Sequence, residues 1–285
     1  MSINKLVLIS RKRVAALGAW LVVSSLLVGS VYASPTTVTL TDNGSTATID
    51  LGSSAGMNSW TVNGQNQLNQ QWFWYRTDGG LAQPINSIGG LSYQVIGNNV
   101  LDAIYQNSQL SVEIMYTLTG GGVNSGSADI TEQIMAVNLS GSAFDLNFYQ
   151  YSNFNLLGAA NDNVQIFGSL GNYNYVRQWN GATAIQEAVT APSAFYAEAA
   201  LVNQTLNEFA TTSGLTLNGN LTSGPGNATW ALQWTQTLAA NGGEFDLTKD
   251  KSLSISVVPE PTTTALAVLG GLSLAAWTMR RRTSA

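Results

Sequence analysis

Apolar and small polar side chains alternate along most of this chain, and this alternation constrains the fold more than any other feature. The pattern runs through residues 112–118, 144–148, 215–221, 230–234 and 253–257. Because successive residues of a strand point to opposite faces of a sheet, each run predicts a strand with one buried face. Turn-forming pairs such as Asn180-Gly181 and Asn241-Gly242 separate the runs. About a dozen or more strands at this spacing predict an all-β fold, an antiparallel sandwich of two sheets.

One internal stretch, residues 194–209, departs from the alternation. Its larger apolar residues recur at steps of four and three, which places them on one helix face: Phe195, Ala199, Val202, Leu206 and Phe209. This spacing predicts a short helix. A strand remains the alternative, because Val202, Thr205 and Phe209 also favour sheets.

The N-terminus has the features of a secretory signal peptide. Four basic residues, Lys5, Arg11, Lys12 and Arg13, precede an apolar segment at 14–28. Val31 and Ala33 then form the small-x-small pattern that signal peptidase cleaves. We therefore expect residues 1–33 to be removed, with an uncleaved signal anchor as the alternative.

The C-terminus carries three signals side by side. Pro259-Glu260-Pro261 comes first, and its two prolines break regular structure. An apolar segment follows at 265–279, about the length needed to cross a hydrocarbon core of about 30 Å. Arg280, Arg281 and Arg282 come last and would hold that end on the cytoplasmic side. These features predict hydrophobic helices at both termini of the chain.

This tail, residues 259–285, resembles the PEP-CTERM sorting signal of Gram-negative bacteria. The resemblance implies that an exosortase recognises Pro259, Glu260 and Pro261 and cuts near them, after transient residence in the inner membrane. It further implies release to the cell surface or extracellular matrix, with an exopolysaccharide as an expected partner. A membrane anchor that is never removed is the alternative. Residues 34–258 are left as one β-sandwich domain, because no linker or repeat divides them.

Charge and residue usage exclude several classes of function. Outside the terminal segments the chain has four basic residues against 15 acidic ones, a formal charge of 4 − 15 = −11. Nucleic-acid binding is excluded, because there is no basic patch to contact phosphates. The chain has no Cys and no His, so thiol chemistry, Cys zinc sites and histidine bases are absent. No cofactor, metal or catalytic motif is predicted.

Two tryptophans in the segment Trp72-Phe73-Trp74-Tyr75 are the candidate carbohydrate contacts. In a strand, Trp72 and Trp74 lie on one face and Phe73 and Tyr75 on the other. An exposed Trp pair would let the apolar face of a sugar ring pack against it. The alternative is a central strand that is covered on both faces.

The acidic residues give no recognisable catalytic or metal motif. Asp129 and Glu132, three apart in a predicted strand, should point to opposite faces and so make a poor pair by themselves. Residues 161–163, and Asp246 with Asp250, could supply oxygen ligands to calcium, but they lack the spacing of a calcium loop. Turn capping explains them better. Any two of the acids could still meet in space across a cleft.

The sequence therefore supports one main interpretation and one rival. The main interpretation is an exported, non-enzymatic envelope or matrix protein that is sorted through its tail. The rival is a carbohydrate-active sandwich, either a binding module that uses Trp72 and Trp74 or a glycosidase with unidentified carboxylates.

Replacing Pro259, Glu260 and Pro261 together with alanine is expected to leave full-length mature protein in the membrane, because the processing enzyme would lose its recognition residues. The intact mass of protein from membranes and from medium, in cells with and without the exosortase, would measure this. Unchanged processing of the alanine variant would contradict the sorting interpretation.

Overall fold

Two antiparallel nine-stranded sheets form a sandwich, which confirms the predicted fold class. The computed structural model describes residues 36–158 and 160–255. The predicted signal peptide, the Pro-Glu-Pro tail and the predicted terminal hydrophobic helices lie outside these residues. Within the described part, no helix is long and apolar enough to span a membrane.

Eighteen strands are present in the described residues. They are β1 (Thr37–Asp42), β2 (Ser45–Asp50), β3 (Gly56–Val62), β4 (Gln65–Asn66), β5 (Leu68–Arg76), β6 (Gln83–Pro84), β7 (Ser92–Ile96), β8 (Val100–Gln106), β9 (Leu110–Gly120), β10 (Ser127–Asn138), β11 (Phe144–Phe154), β12 (Asp162–Ser169), β13 (Asn172–Asn180), β14 (Thr183–Ala191), β15 (Tyr196–Leu201), β16 (Thr222–Gly226), β17 (Ala228–Leu238) and β18 (Glu244–Ser254). One α-helix, α1 (Gln204–Thr211), and two short 3₁₀ helices, Ile85–Ile88 and Leu156–Gly158, complete the described elements.

The two sheets, A and B, differ in the order of their strands. Sheet A has the order β1-β2-β3-β5-β11-β17-β15, with β4 beside β3 and β6 beside β5. Sheet B has the order β16-β12-β13-β14-β18-β10-β9-β8-β7. All pairings are antiparallel except a short parallel contact between β3 and β5. One hydrophobic core draws buried residues from both sheets.

The predicted helix at 194–209 is only partly correct. Residues 196–201 form β15, which pairs with β17 over six positions, and the helix begins later, at Gln204. Backbone pairing with a neighbouring strand outweighs the local helical spacing here. Phe209 is buried as expected of the stripe, but Phe195 is exposed, so the five residues do not share one helix face.

The predicted strand at 215–221 is wrong, although its alternation is real. Leu215 and Leu217 are buried, yet residues 212–221 form an irregular segment. Side chains of sheet A take up its backbone groups: the N–H of Leu217 donates to Gln233 Oε1 at 3.0 Å. The carbonyl of Leu215 accepts from the Tyr149 hydroxyl at 2.9 Å. Residues 203–221, called the strap below, thus cover the outer face of sheet A over β5, β11, β17 and β15.

The inner face of sheet B buries two lysines between two glutamates. Lys249 and Lys251 of β18 lie between Glu132 of β10 and Glu187 of β14, and all four side chains are fully buried. Lys251 Nζ is 2.6 Å from Glu132 Oε2 and 3.1 Å from Glu187 Oε2, and Lys249 pairs with Glu132. Gln150 of sheet A donates to Glu187 Oε2 at 2.9 Å. This ion quartet therefore ties three strands of sheet B to sheet A.

Burial governs the protonation of the quartet. It lowers the pKa of Lys249 well below its usual value, and the neighbouring Lys251 charge lowers it further. Burial also raises the pKa of Glu187, against the opposing effect of Lys251. Lys249 Nζ in addition lies 4.9 Å from the centre of the Phe73 ring, a cation–π contact from sheet A.

Replacing Glu132 with Gln is expected to lower the free energy of unfolding by about 3–5 kcal/mol, because it leaves buried lysine charge without its partner. Urea unfolding followed by tryptophan fluorescence would measure the loss. Gln133→Ala, at the exposed neighbour on β10, is the matched control and should change stability by no more than about 0.5 kcal/mol. The paired variant E132M/K249M should recover much of the loss, since it removes both charges. A loss in E132Q no larger than in the control would contradict a stabilising role of the quartet.

Candidate functional site

The two tryptophans predicted to contact a sugar are buried, which contradicts that prediction. Trp72 is fully buried, and its indole N–H donates to Asn86 Oδ1 at 3.3 Å. Trp74 is 5% exposed and packs against Phe209 of α1, with ring centres 5.0 Å apart. The strand β5 is covered on both faces, because sheet B lies on one side and the strap on the other. Neither ring can meet a sugar from solvent.

The fold instead brings acidic residues together in three pairs, two of which are distant in sequence. Glu132 and Glu187 belong to the buried quartet. Glu198 and Glu208 meet between β15 and α1. Asp129 and Asp250 meet on the outer face of sheet B. Among these three pairs, only the last lies on an open sheet face.

Strand register explains how Asp129 and Asp250 come to be neighbours. Asp129 of β10 lies opposite Ser252 of β18, and Thr131 lies opposite Asp250, so the two aspartates occupy a diagonal of the same face. Their carboxyl groups share a hydrogen bond. Thr131 Oγ1 also donates to Asp250 Oδ1 at 2.9 Å, which fixes that carboxyl group. These two residues are called the aspartate pair below.

The predicted separation of Asp129 from Glu132 is confirmed by their burial. Glu132 is fully buried on the inner face, whereas Asp129 is half-buried on the outer face. The partner of Asp129 is Asp250, which the sequence had associated only with a calcium loop or a turn cap. Sequence reasoning missed the pair because β10 and β18 are far apart in the chain and become neighbours only in the sheet.

The environment of the aspartate pair favours one retained proton near neutral pH. Burial raises the pKa of Asp129 to about 7, and the hydrogen bond and negative charge of Asp250 add to this effect. The Lys251 ammonium acts in the opposite direction from beneath the sheet. Two carboxyl groups in contact cannot both ionise easily, because their charges repel. The pair therefore offers a proton donor and a proton acceptor at the same point.

Polar and aromatic side chains surround the pair on the same face. The hydroxyl groups of Thr119 and Ser252 flank Asp129 directly, since both residues lie opposite it in the register. Gln186 and Arg177 continue that row across β14 and β13. Aromatic residues lie at the β13 end of this row. The ring centres of Phe167 and Tyr175 are 5.3 Å apart, and the guanidinium carbon of Arg177 is 5.1 Å from the centre of the Trp179 ring.

The second carboxyl pair differs because the strap covers it. Glu198 is fully buried and accepts hydrogen bonds from Thr205 Oγ1 at 2.7 Å and from the Asn218 N–H at 3.4 Å. Burial raises the pKa of Glu208 to about 7, and the charge of Glu198 and their shared hydrogen bond add to it. The side-chain hydrogen bond between Glu208 and Glu198 thus links α1 to β15. Glu198 is sealed beneath the strap, whereas Glu208 belongs to the strap itself and is only partly buried.

The remaining candidate ligand residues do not converge. Asp162 is fully buried and accepts from Gln178 Nε2 at 2.9 Å, while burial raises its pKa to about 6. Asp246 of β18 is exposed. In residues 36–158 and 160–255, no group of three or more acidic side chains is placed to hold a metal ion.

No protein-family model matches the sequence, and no curated protein matches it either. Solved structures share the fold, however. A bacterial glucoamylase complexed with acarbose superimposes with a TM-score of 0.56 at 10% identity, over 80% of this chain and 32% of the glucoamylase. This chain therefore spans about a third of that protein. A galactose mutarotase related enzyme from Lactobacillus acidophilus gives a TM-score of 0.50 at 8% identity, over 78% of this chain and 98% of the enzyme.

These likenesses correct one expectation from the sequence. The prediction that the domain is not an enzyme is contradicted, because nearly the whole of a mutarotase-related enzyme has this sandwich fold. At 8–10% identity the likeness shows the fold alone. The residues that could act must therefore be identified from the geometry of this chain.

Replacing Asp250 with Asn is expected to lower the pKa of Asp129, because the amide cannot ionise and can donate a hydrogen bond to the Asp129 carboxylate. NMR titration of the Asp129 side-chain carboxyl carbon would measure the change. In the unaltered protein the folded-state pKa lies above the unfolded value. The stabilisation by the shared proton is therefore full at acidic pH and is lost as the pH rises through about 7. Asp246→Asn on the same strand is the control. An Asp129 titration that is identical in all three proteins would contradict the pairing.

Proposed function

We propose that this protein is carbohydrate-active: the outer face of sheet B binds a saccharide, and the aspartate pair transfers protons at its anomeric carbon. The observation that carries this proposal is the pair itself, a hydrogen-bonded acid and base on an open polar face. The rival interpretation from the sequence is thereby retained, with its site moved from Trp72 and Trp74 to Asp129 and Asp250.

The distance between the two carboxyl groups argues against hydrolysis. Glycoside hydrolases keep their two carboxyl groups about 5 to 9.5 Å apart, so that a nucleophile or a water fits around the sugar. Asp129 and Asp250 are in hydrogen-bond contact and leave no such room. An acid and a base in contact can act on two oxygen atoms that are bonded to the same carbon. The anomeric carbon of a reducing sugar carries such a pair, the ring oxygen and a hydroxyl group.

The proposed step is a ring opening that balances without any co-reactant. The protonated carboxyl group gives its proton to the ring oxygen as the bond between that oxygen and the anomeric carbon breaks. The ionised carboxylate takes the proton of the anomeric hydroxyl, whose oxygen becomes the aldehyde oxygen. The pair again holds one proton, now on the other carboxyl group. Rotation of the aldehyde and the reverse transfer close the ring to the other anomer.

Three features around the pair support saccharide binding. The hydroxyl groups of Thr119 and Ser252 and the amide of Gln186 offer donors and acceptors suited to sugar hydroxyls. Tyr175 lies two strands from Asp250, about 10 Å away at the usual strand spacing, and could pack against a second sugar unit. The fold is shared with an enzyme related to galactose mutarotase and with a glucoamylase. That likeness supports the class of ligand and leaves its identity open.

Export and sorting remain part of the proposal. The N-terminal and C-terminal segments would bring this domain to the cell surface or the surrounding matrix, where saccharides are the abundant ligands. The support is the sequence pattern at 1–33 and 259–285.

Replacing Asp129 or Asp250 with Asn is expected to slow anomer exchange by about a hundredfold or more, the usual contribution of a general acid or base. Exchange spectroscopy by NMR on a panel of reducing sugars, with the uncatalysed rate subtracted, would measure it. Asp246→Asn is the control for surface charge and should keep the full rate. Absence of any acceleration by the unaltered protein across the panel would refute the proposed activity.

A further inference from the structure

A cleft lies between residues of sheet A and residues of sheet B. Sheet A contributes the ends of β5 and β11, and sheet B contributes the turn between β8 and β9. The cleft has a volume of about 240 Å³ and is lined by Tyr75, Thr77, Asn107, Gln109, Leu110 and Phe144. We propose that this cleft is a second saccharide site and that it takes an uncharged glycan chain.

The lining has the chemistry that neutral sugars require. Tyr75 and Phe144 pack against the core with part of each ring exposed, so each can present an aromatic surface to a sugar ring. Thr77 and Gln109 add a hydroxyl and an amide that can both donate and accept hydrogen bonds. None of the six lining residues is charged, so the cleft offers no counter-ion to an acidic sugar.

The turn that forms one wall of the cleft is held in place before any ligand arrives. Asn107 Oδ1 accepts hydrogen bonds from the N–H groups of Gln109 at 2.8 Å and Leu110 at 2.9 Å. The N–H of Leu139 donates to the carbonyl of Gln109 at 2.9 Å. A preformed wall lowers the entropy cost of binding.

Charge on the surrounding surface selects against anionic glycans. Exposed Asp78 directly follows Thr77, and exposed Asp145 directly follows Phe144, so both sheet A walls are flanked by acids. Of the four basic residues in the described chain, Lys249 and Lys251 are buried in the ion quartet, and Arg177 lies on the outer face of sheet B. Arg76 donates to the Leu215 carbonyl at 3.2 Å in the strap and thereby serves the fold. A uronate or sulfated chain would be repelled at this end of the molecule.

The cleft is separate from the aspartate pair. Leu110 begins β9 at the cleft, and Thr119 lies opposite Asp129 nine residues further along the same strand. At about 3.4 Å per residue, the two places are about 30 Å apart. One monosaccharide cannot reach both, so the cleft would hold a polymer while the pair acts on a chain end. The class of ligand rests on the proposed function, whereas the location of this site does not.

The test measures the binding of six-unit probes by calorimetry, with a panel of neutral glucose oligomers on one side and one oligogalacturonate on the other. We expect the neutral panel to contain a binder and the oligogalacturonate to bind at least about tenfold more weakly. Tyr75→Ala should weaken the neutral binder about tenfold by removing an aromatic wall. Gln109→Trp, at an exposed position outside the core, should weaken it similarly by filling the cleft, and it tests the site should Y75A fail to fold.

Two controls separate this inference from the proposed activity. Phe195→Ala removes an exposed aromatic ring elsewhere on the molecule and should leave binding unchanged. Asp129→Asn should slow anomer exchange about a hundredfold but leave binding in the cleft intact, whereas Q109W should weaken binding and leave the exchange rate unchanged. The inference is overturned by no binding of any neutral probe, by equal binding of the oligogalacturonate, or by unchanged binding in Q109W.

Discussion

The structure depends on how a sandwich with few charges accommodates two lysines and two glutamates in its interior. Lys249 and Lys251 project inward from β18, and Glu132 and Glu187 meet them from the strands on either side. A charge moved out of water costs several kcal/mol unless it is paired and hydrogen-bonded, so only registers that align these side chains are tolerated. The quartet therefore fixes the order β14-β18-β10 at the centre of sheet B. Through Gln150 it also fixes the position of sheet A above it.

The same strands present the aspartate pair on their opposite face. Because side chains alternate along β18, Asp250 points outward between the two inward lysines. The register that aligns Lys251 with Ile130 also places Asp129 beside Asp250. A buried ion network that sets strand register thus determines the geometry of the candidate site. The buried ammonium group of Lys251 also contributes to its electrostatics, since it lowers the pKa of Asp129 against the stronger effect of burial.

The two outer faces of the sandwich differ in how far other segments cover them. On sheet A the aromatic residues Trp74 and Tyr149 are sealed by Phe209 and by strap backbone groups that bind Gln233 and Tyr149. On sheet B the polar face stays open, and the pair of acids at its centre is half-buried. This asymmetry explains why the densest aromatic segment of the chain serves the core. It also leaves the outer face of sheet B and the cleft accessible to ligands.

The sequence was sufficient to predict the all-β class, the separation of Asp129 from Glu132 onto opposite faces, and several turns, including Asn180-Gly181 and Asn241-Gly242. All of these follow from local rules, the period of two in a strand and the backbone freedom of glycine. It did not predict the strap, because the alternating leucines there have the period of a strand. It did not predict β15 either, because the apolar spacing there has the period of a helix. The burial of Trp72 and Trp74 and the contact between Asp129 and Asp250 arise only when the sheets assemble. Burial depends on what covers each face, and the pairing of β10 with β18 depends on competition among all strands for partners, which no local pattern records.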